Sequence, residues 1–180
     1  MPISINEIVV PQGAKDASSD IFLSIVTKRA GKVKGESKTD GHVDEIQLSN
    51  WHWGARAGEQ VALSAGKRAS RSYSDLHVTK VVDLSSTALL NALATNDMVR
   101  EAVLTMRKAG GDALDYFKMT LNDASITAVD ISCGVNGQAI ESVTLSFTKV
   151  TIEYKRQQSG GASGGATTFS DDIAALGPKS

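Results

Sequence analysis

The sequence predicts a mainly β fold, either a barrel or a two-sheet sandwich that one helix closes in part. Three observations lead to this prediction. About seven segments alternate apolar and polar residues with the two-residue period of half-buried strands. One further segment has helical spacing. The only prolines are Pro2, Pro11 and Pro178, so the long stretch from residue 12 to residue 177 is free to form hydrogen-bonded strands.

The strands and the helix follow from the positions of these patterns. The helix is expected at about 86–95, with Ser85 or Ser86 capping its first turn and an apolar stripe formed by Leu89, Leu90 and Leu93. Strands are expected at 21–26, 42–53, 76–82, 101–107, 114–122, 124–132 and 141–154.

One predicted strand, 42–53, changes phase along its length. Ile46 and Leu48 point to one face, whereas Trp51 and Trp53 point to the other. A bulge or bend between the two pairs explains this pattern, because it turns both sets inward. Alternatively, both faces are covered, one by the core and one by a partner. The last predicted strand changes phase in the same way, so the same two explanations apply to it.

The length and the composition indicate one domain with two polar ends. The 180 residues suit a single compact body, expected at 20–154. An irregular N-terminal arm is expected at 1–19, and a flexible Gly/Ser-rich tail at 155–180. The N-terminus lacks the features of a cleaved signal peptide, and no apolar run reaches the roughly 18 residues of a membrane span. We therefore expect folding in the cytoplasm and no membrane insertion.

The charge balance argues against nucleic-acid binding. The chain has 19 basic and 20 acidic residues, which is unlike a polycationic binder. Basic residues cluster at 28–38 and 56–71, but these segments have the composition of solvated loops. The single cysteine, Cys133, excludes an intramolecular disulfide and a cysteine-cluster zinc site, and its position at a strand end suits a small, partly apolar residue.

A search for catalytic, cofactor and metal sites finds none. The three histidines, His42, His52 and His77, are not spaced as metal-ligand pairs along the chain. The acidic residues sit in turn-like sequences, and the Gly-rich stretch near the C-terminus lacks the strand-to-helix setting of a phosphate-binding loop. The residues alone therefore indicate a scaffold, a binding module or a subunit, and not an enzyme.

Several blocks of sequence, taken together, resemble one known family. Jointly specific features are KGES followed by a histidine, two tryptophans with one residue between them, and VTK-x-x-D-x-S-S leading into the helix. The final F-x-K-V-x-x-x-Y completes the set. The chain from 20 to 154 thus resembles the haemolysin-coregulated protein (Hcp) family, the tube subunit of type VI secretion systems. Thr87 stands where that family usually has a proline, and both chain ends differ from it.

The resemblance implies a β-barrel of two antiparallel sheets with one flanking helix. It also implies stacked six-membered rings that enclose a wide channel, lie inside a contractile sheath and carry a spike protein at the tip. Such rings are propelled out of the cell without a cleaved signal peptide, and they carry or chaperone effector proteins in the channel. The resemblance implies no cofactor.

The resemblance also implies roles for particular residues. Lys34, Gly35, Glu36 and Ser37 are expected in the loop that contacts the next stacked ring. His52, between the two tryptophans, is expected to face the channel. Two other functions stay open at this point: a contractile phage-like tail-tube subunit, and a monomeric β-barrel that binds a small ligand.

Overall fold

The computed structural model describes residues 19–57, 71–108, 114–157 and 163–173. The predicted N-terminal arm, apart from its last residue, lies outside these ranges. The elements are β1 (Ser19–Thr27), β2 (Lys32–Val33), β3 (Ile46–Leu48), β4 (Asn50–His52), β5 (Ala55–Ala57), β6 (Arg71–Tyr73), β7 (Leu76–Val81), α1 (Ser85–Ala94), β8 (Val99–Lys108), β9 (Asp115–Cys133), β10 (Ala139–Ser146), β11 (Lys149–Gln157) and β12 (Ser163–Asp172). The prediction of a mainly β fold with two antiparallel sheets and one helix is confirmed.

The strands pair in the order β2-β1-β8-β9-β10-β7-β4, with β3 beside β1 and the β11–β12 pair beside β9. This path is open, so strand pairing does not close the expected barrel over the described residues. The first part of β9 pairs with β8 and β11, and its part from Ser125 onward pairs with β10. Asp123, with a φ of 46°, lies where the partners change. The two strands predicted at 114–122 and 124–132 are therefore one strand that belongs to two sheets. The first sheet also contains β1, β2, β3, β8, β11 and β12, and the second also contains β4, β7 and β10.

The bend predicted within 42–53 is present. β3 pairs with β1, whereas β4 pairs with β7, and Ser49 alone separates the two strands. Because the chain changes partner there, Ile46 and Leu48 are buried while Trp51 and Trp53 also pack against the core. The tryptophans are thus directed inward by the bend, which explains the phase change without a partner on the outer face.

The single long strand predicted at 141–154 is wrong. The chain forms β10, leaves it at Phe147 and Thr148, and enters β11. β10 lies between β7 and the end of β9, whereas β11 lies between the start of β9 and β12. The change of phase in the sequence is therefore a change of sheet.

The helix α1 is present, but its predicted cap is wrong. Leu84 is the N-cap residue and its side chain makes no capping hydrogen bond. The backbone N–H of Ser85 is instead bound by the side chain of Asp83, 2.9 Å away. Leu89 is buried and Leu90 is exposed, so the apolar stripe is narrower than predicted. Within the described residues no helix is long and apolar enough to span a bilayer.

Part of the tail expected at 155–180 forms a strand in the structure. Residues 163–172 form β12, which pairs with β11 over most of its length. The side chain of Asp171 accepts hydrogen bonds from Arg71 and Tyr73, which joins β12 to β6. Glycine and serine weaken a strand, but the edge of β11 offers unpaired backbone groups, and Thr167, Thr168 and Phe169 favour extended structure.

Candidate functional site

The segment from Lys34 to Glu45, here called the 34–45 loop, folds back on itself. The N–H of Gly35 donates to the carbonyl of Asp44 over 2.9 Å, and the N–H of Ser37 donates to the carbonyl of Glu45 over 3.1 Å. The N–H of Asp44 returns a bond of 3.0 Å to the carbonyl of Ser37. These bonds give the loop a defined shape before any partner binds.

Glycine is required at position 35 because two parts of the loop come very close there. A Cβ at Gly35 would lie 2.3 Å from the carbonyl oxygen of Glu45, a distance that no side chain tolerates. The close approach is thus internal to the loop. As a result, the backbone at Gly35 is held directly beside the backbone at Glu45.

The structure places the four predicted loop residues in two different environments. Lys34 and Glu36 are exposed, whereas Gly35 is buried and Ser37 is only 3% exposed. The Oγ of Ser37 accepts a hydrogen bond from the N–H of Thr39, 3.2 Å away. Of these four residues, only Lys34 and Glu36 therefore have side chains at the surface.

Glu36 connects the 34–45 loop to the start of α1. Its Oε1 accepts a hydrogen bond of 3.0 Å from the backbone N–H of Leu84. The first N–H groups of a helix have no partner within the helix, and a carboxylate is favoured near them. The loop is therefore fixed to the helix at the point where Leu84, 59% exposed, reaches solvent.

A surface recess of about 410 Å³ lies between the 34–45 loop and the end of β7. We call it the loop recess. Three apolar residues near it are unusually exposed, namely Val81, Val82 and Leu84. The recess is lined by Glu36, Ser37, Gln47, Leu48, Ser49, Val81, Val82 and Asp83. Exposed apolar side chains grouped in this way are typical of surfaces that contact another protein.

His42 anchors the other end of the loop inside the protein. It is 5% exposed, and its ring stacks on Phe22 with a centroid distance of 4.2 Å. Its Nδ1 lies 2.7 Å from Oε2 of Glu45, and its Nε2 lies 3.2 Å from Oδ1 of Asp115. Both ring nitrogens of His42 are therefore within hydrogen-bond distance of a carboxylate oxygen.

Arg107 completes this anchor. Its Nε donates to Oδ1 of Asp115 over 2.7 Å, and its Nη1 donates to the carbonyl of Asp40 over 2.6 Å. Burial of the Asp115 carboxyl would raise its pKa, but the hydrogen bonds from Arg107 and His42 outweigh burial and lower the pKa below its ordinary value. The loop is thus attached to β8 and β9 through charged groups.

A buried charged cluster supports the start of the helix. Lys80 and Glu141 are directly opposite each other on β7 and β10, and they are 1% and 0% exposed. The Nζ of Lys80 lies 2.7 Å from Oε2 of Glu141, 2.8 Å from Oδ1 of Asp83 and 3.0 Å from Oγ of Ser86. The other carboxylate oxygen of Glu141, Oε1, finds no hydrogen-bond partner in the described structure.

His52 lies apart from the loop recess, on β4, with an exposed side chain. Its neighbours Trp51 and Trp53 are half-buried, and they stack on Phe117 and Tyr73 at centroid distances of 5.5 Å and 5.7 Å. The tryptophans therefore fix the strand while His52 points outward from it. The structure does not bring His52 together with the four predicted loop residues.

Sequence reasoning missed the buried charges, although a signal was present. Lys80 shares its strand face with Leu76 and Val78, which are buried, and Glu141 shares its face with Val143. Opposite charges on the inward faces of two strands indicate a buried pair. The strand register needed to match them is available only from the structure.

The described residues contain no group of three or more His, Cys, Asp or Glu side chains placed to hold a metal ion. Cys133 is exposed and carries a free thiol.

Comparisons with known proteins point to a single class. The family model described as type VI secretion system effector, Hcp, matches residues 22–154. The crystal structure of Hcp1 from Salmonella typhimurium is 32% identical, with a TM-score of 0.70 over 89% of this chain and 97% of that one. A type VI secretion system effector from Yersinia pestis is 26% identical, with a TM-score of 0.67 over 86% of this chain and 100% of that one.

A sequence relative agrees with the structural matches. Protein hcp1 of Pseudomonas aeruginosa is 34% identical over 149 residues, which are 81% of this chain and 89% of that protein. The chain is therefore a β-rich structural protein of type VI secretion. It belongs to the Hcp family, as the resemblance in the sequence predicted.

Proposed function

We propose that this chain is the inner-tube subunit of a type VI secretion system, and that six copies form a ring around a wide channel. Membership of the Hcp family supports this role. The observation that carries it in the structure is the exposed apolar group of Val81, Val82 and Leu84 beside the loop recess. A ring subunit needs apolar surface outside its own core, because each copy contacts two neighbours head to tail.

We further propose that rings stack through Lys34 and Glu36. The hydrogen bonds within the 34–45 loop and the bond from Glu36 to Leu84 support this, because a loop that is already ordered loses little conformational entropy on binding. Gly35 and Ser37 serve the stack indirectly, since they are buried and shape the loop. The exposed charges of Lys34 and Glu36 are the part that a neighbouring ring contacts.

The same proposal assigns His52 to the channel wall. Its exposure on a strand fixed by two half-buried tryptophans supports this position. The stacked rings lie within a contractile sheath, carry a spike protein at the tip and hold effector proteins in the channel until the tube is propelled out of the cell. The work of the chain is assembly and transport, and it requires no cofactor.

The experiment is to measure the mass of the purified chain by native mass spectrometry and to image it by negative-stain electron microscopy. We expect six-membered rings. A monomer at high protein concentration would overturn the proposal.

The stacking surface is tested by Lys34→Glu, with Arg100→Glu, at an exposed position of β8, as the matched control. We expect Lys34→Glu to leave single rings intact and to reduce stacks of rings at high concentration, and Arg100→Glu to leave both unchanged. Equal stacking in the two variants would remove the 34–45 loop from the stacking surface.

A further inference from the structure

The fold brings together two histidines that are 25 positions apart in the sequence. β4 and β7 are antiparallel, and His52 stands directly opposite His77 in their register. Side chains directly opposite each other project from the same face of a sheet, with Cβ atoms about 4.5–5.5 Å apart. Both histidines are exposed. Two imidazoles at this separation can reach one ion between them.

A third strand orients one of the rings. The Nδ1 of His77 lies 3.0 Å from Oγ1 of Thr144, which is its direct neighbour on β10. When Nδ1 donates its proton to this hydroxyl, Nε2 keeps its lone pair. A hydrogen bond of this kind on the second ring nitrogen is what usually orients a metal-binding histidine.

We propose that His52 and His77 form a two-histidine site for a divalent transition-metal ion. Imidazole nitrogen suits Cu²⁺, Ni²⁺ and Zn²⁺, whereas Ca²⁺ and Mg²⁺ prefer oxygen ligands, and Cu²⁺ binds most strongly in the usual order. With no third His, Cys, Asp or Glu placed to join them among the described residues, water fills the other coordination positions.

The ligand type sets the selectivity of the site. His52 also lines a recess of about 220 Å³, whose lining includes Arg56 and Tyr73 but not His77, so the proposed site lies beside this recess and not inside it. Because both ligands are imidazole nitrogens, the site is selective for transition metals over alkaline-earth ions.

The third histidine provides an internal comparison. Both ring nitrogens of His42 face carboxylates and the ring is buried against Phe22, so His42 offers no free nitrogen to an ion. Metal bound by this chain through histidine is thus expected only at His52 and His77. The site lies within one chain and does not depend on ring formation.

The test uses Cu²⁺ alone, titrated calorimetrically into the purified full-length chain in a buffer that does not bind metals. Electron paramagnetic resonance of the bound ion should show two imidazole nitrogens. We expect His52→Ala and His77→Ala each to weaken binding about 100-fold, since one ligand then binds without the other. The double variant should lose at most about another 10-fold in Cu²⁺ affinity relative to either single variant, because each single substitution already removes the two-ligand site.

Thr144→Val removes only the orienting hydrogen bond and should weaken binding about 10-fold. Circular dichroism checks that each variant is folded, and Ca²⁺ serves as the ion that should not bind. Equal Cu²⁺ affinity in the unaltered chain and in the double variant would overturn the site. A spectrum with a single nitrogen ligand would do so as well.

Discussion

Lys80 and Glu141 form an ion pair of 2.7 Å that is almost completely removed from solvent. The pair connects β7 to β10, and the hydroxyl of Ser86 donates to the same Glu141 oxygen over 2.7 Å, which connects both strands to α1. A buried charge without its partner is strongly destabilising, because it has lost both water and its counter-ion. The cluster therefore fixes the position of the helix start.

We expect Lys80→Met to lower the free energy of unfolding by about 3–5 kcal/mol. The variant keeps the apolar length of the side chain but leaves the buried carboxylate of Glu141 uncompensated. Denaturant unfolding followed by circular dichroism measures the change. Lys28→Met is the control, since Lys28 pairs with Asp123 at 3.4 Å on the surface and should lose at most about 1 kcal/mol. Similar losses in both variants would contradict a special role for the buried pair.

We expect Gly35→Ala to distort the 34–45 loop. The added Cβ would meet the carbonyl oxygen of Glu45 at 2.3 Å, so backbone must move, at a cost of about 1–3 kcal/mol. Thermal unfolding measures the loss, and ring stacking should fall with it. Gly165→Ala is the matched control, because a Cβ there meets nothing within 4 Å. A tolerated Gly35→Ala would show that the loop adjusts freely.

Asp115 gives the anchor of the loop a defined acid dependence. The hydrogen bonds from Arg107 and His42 hold the pKa of Asp115 below its ordinary value of 3.8. The stabilisation they provide is complete above pH 3.8 and is lost as the pH falls through the lower pKa of the folded state. We expect Asp115→Asn to be less stable than the unaltered chain at pH 6, with the difference shrinking below about pH 4. Denaturant unfolding across this range measures it, and a difference independent of pH would contradict the assignment.

We expect Asp171→Ala to loosen β12 and β6 together. Asp171 accepts hydrogen bonds from Arg71 and Tyr73. Removal of its carboxylate takes away the acceptor that joins both of these side chains to β12. Hydrogen–deuterium exchange should become faster in residues 71–73 and 167–172. In the control, Asp172→Ala removes a neighbouring carboxylate that contacts Lys149, and exchange in residues 71–73 should stay unchanged. Equal protection in both variants would show that the contact to β6 does not hold the strand.

The sequence predicted most of the strands because a strand with one buried face alternates apolar and polar residues, and this alternation can be read along the chain. The bend at Ser49 and the break after Ser146 both left phase changes that could be read directly. Whether a phase change means a bend in one strand or a change of sheet was not decided by the pattern. The difference depends on which strands lie alongside, and that is information from distant parts of the chain.

The candidate site was less predictable for the same reason. The loop residues were located through the family resemblance, but the burial of Ser37 and the hydrogen bond from Glu36 to Leu84 depend on the folded backbone. The His52–His77 pair is invisible along the chain because only the register of β4 and β7 makes the two residues neighbours. The strand β12 was not predicted because its Gly/Ser-rich composition lacks the apolar alternation of a strand, and the edge of β11 beside it is known only from the structure.

The sharing of β9 between both sheets has a mechanical consequence. Its nineteen residues run without interruption from one sheet into the other, so a pulling force crosses between them along covalent bonds. Among the described strands, β9 is hydrogen-bonded to β8 and β11 in its first part and to β10 in its last part, so the two sheets cannot separate unless one of these pairings breaks.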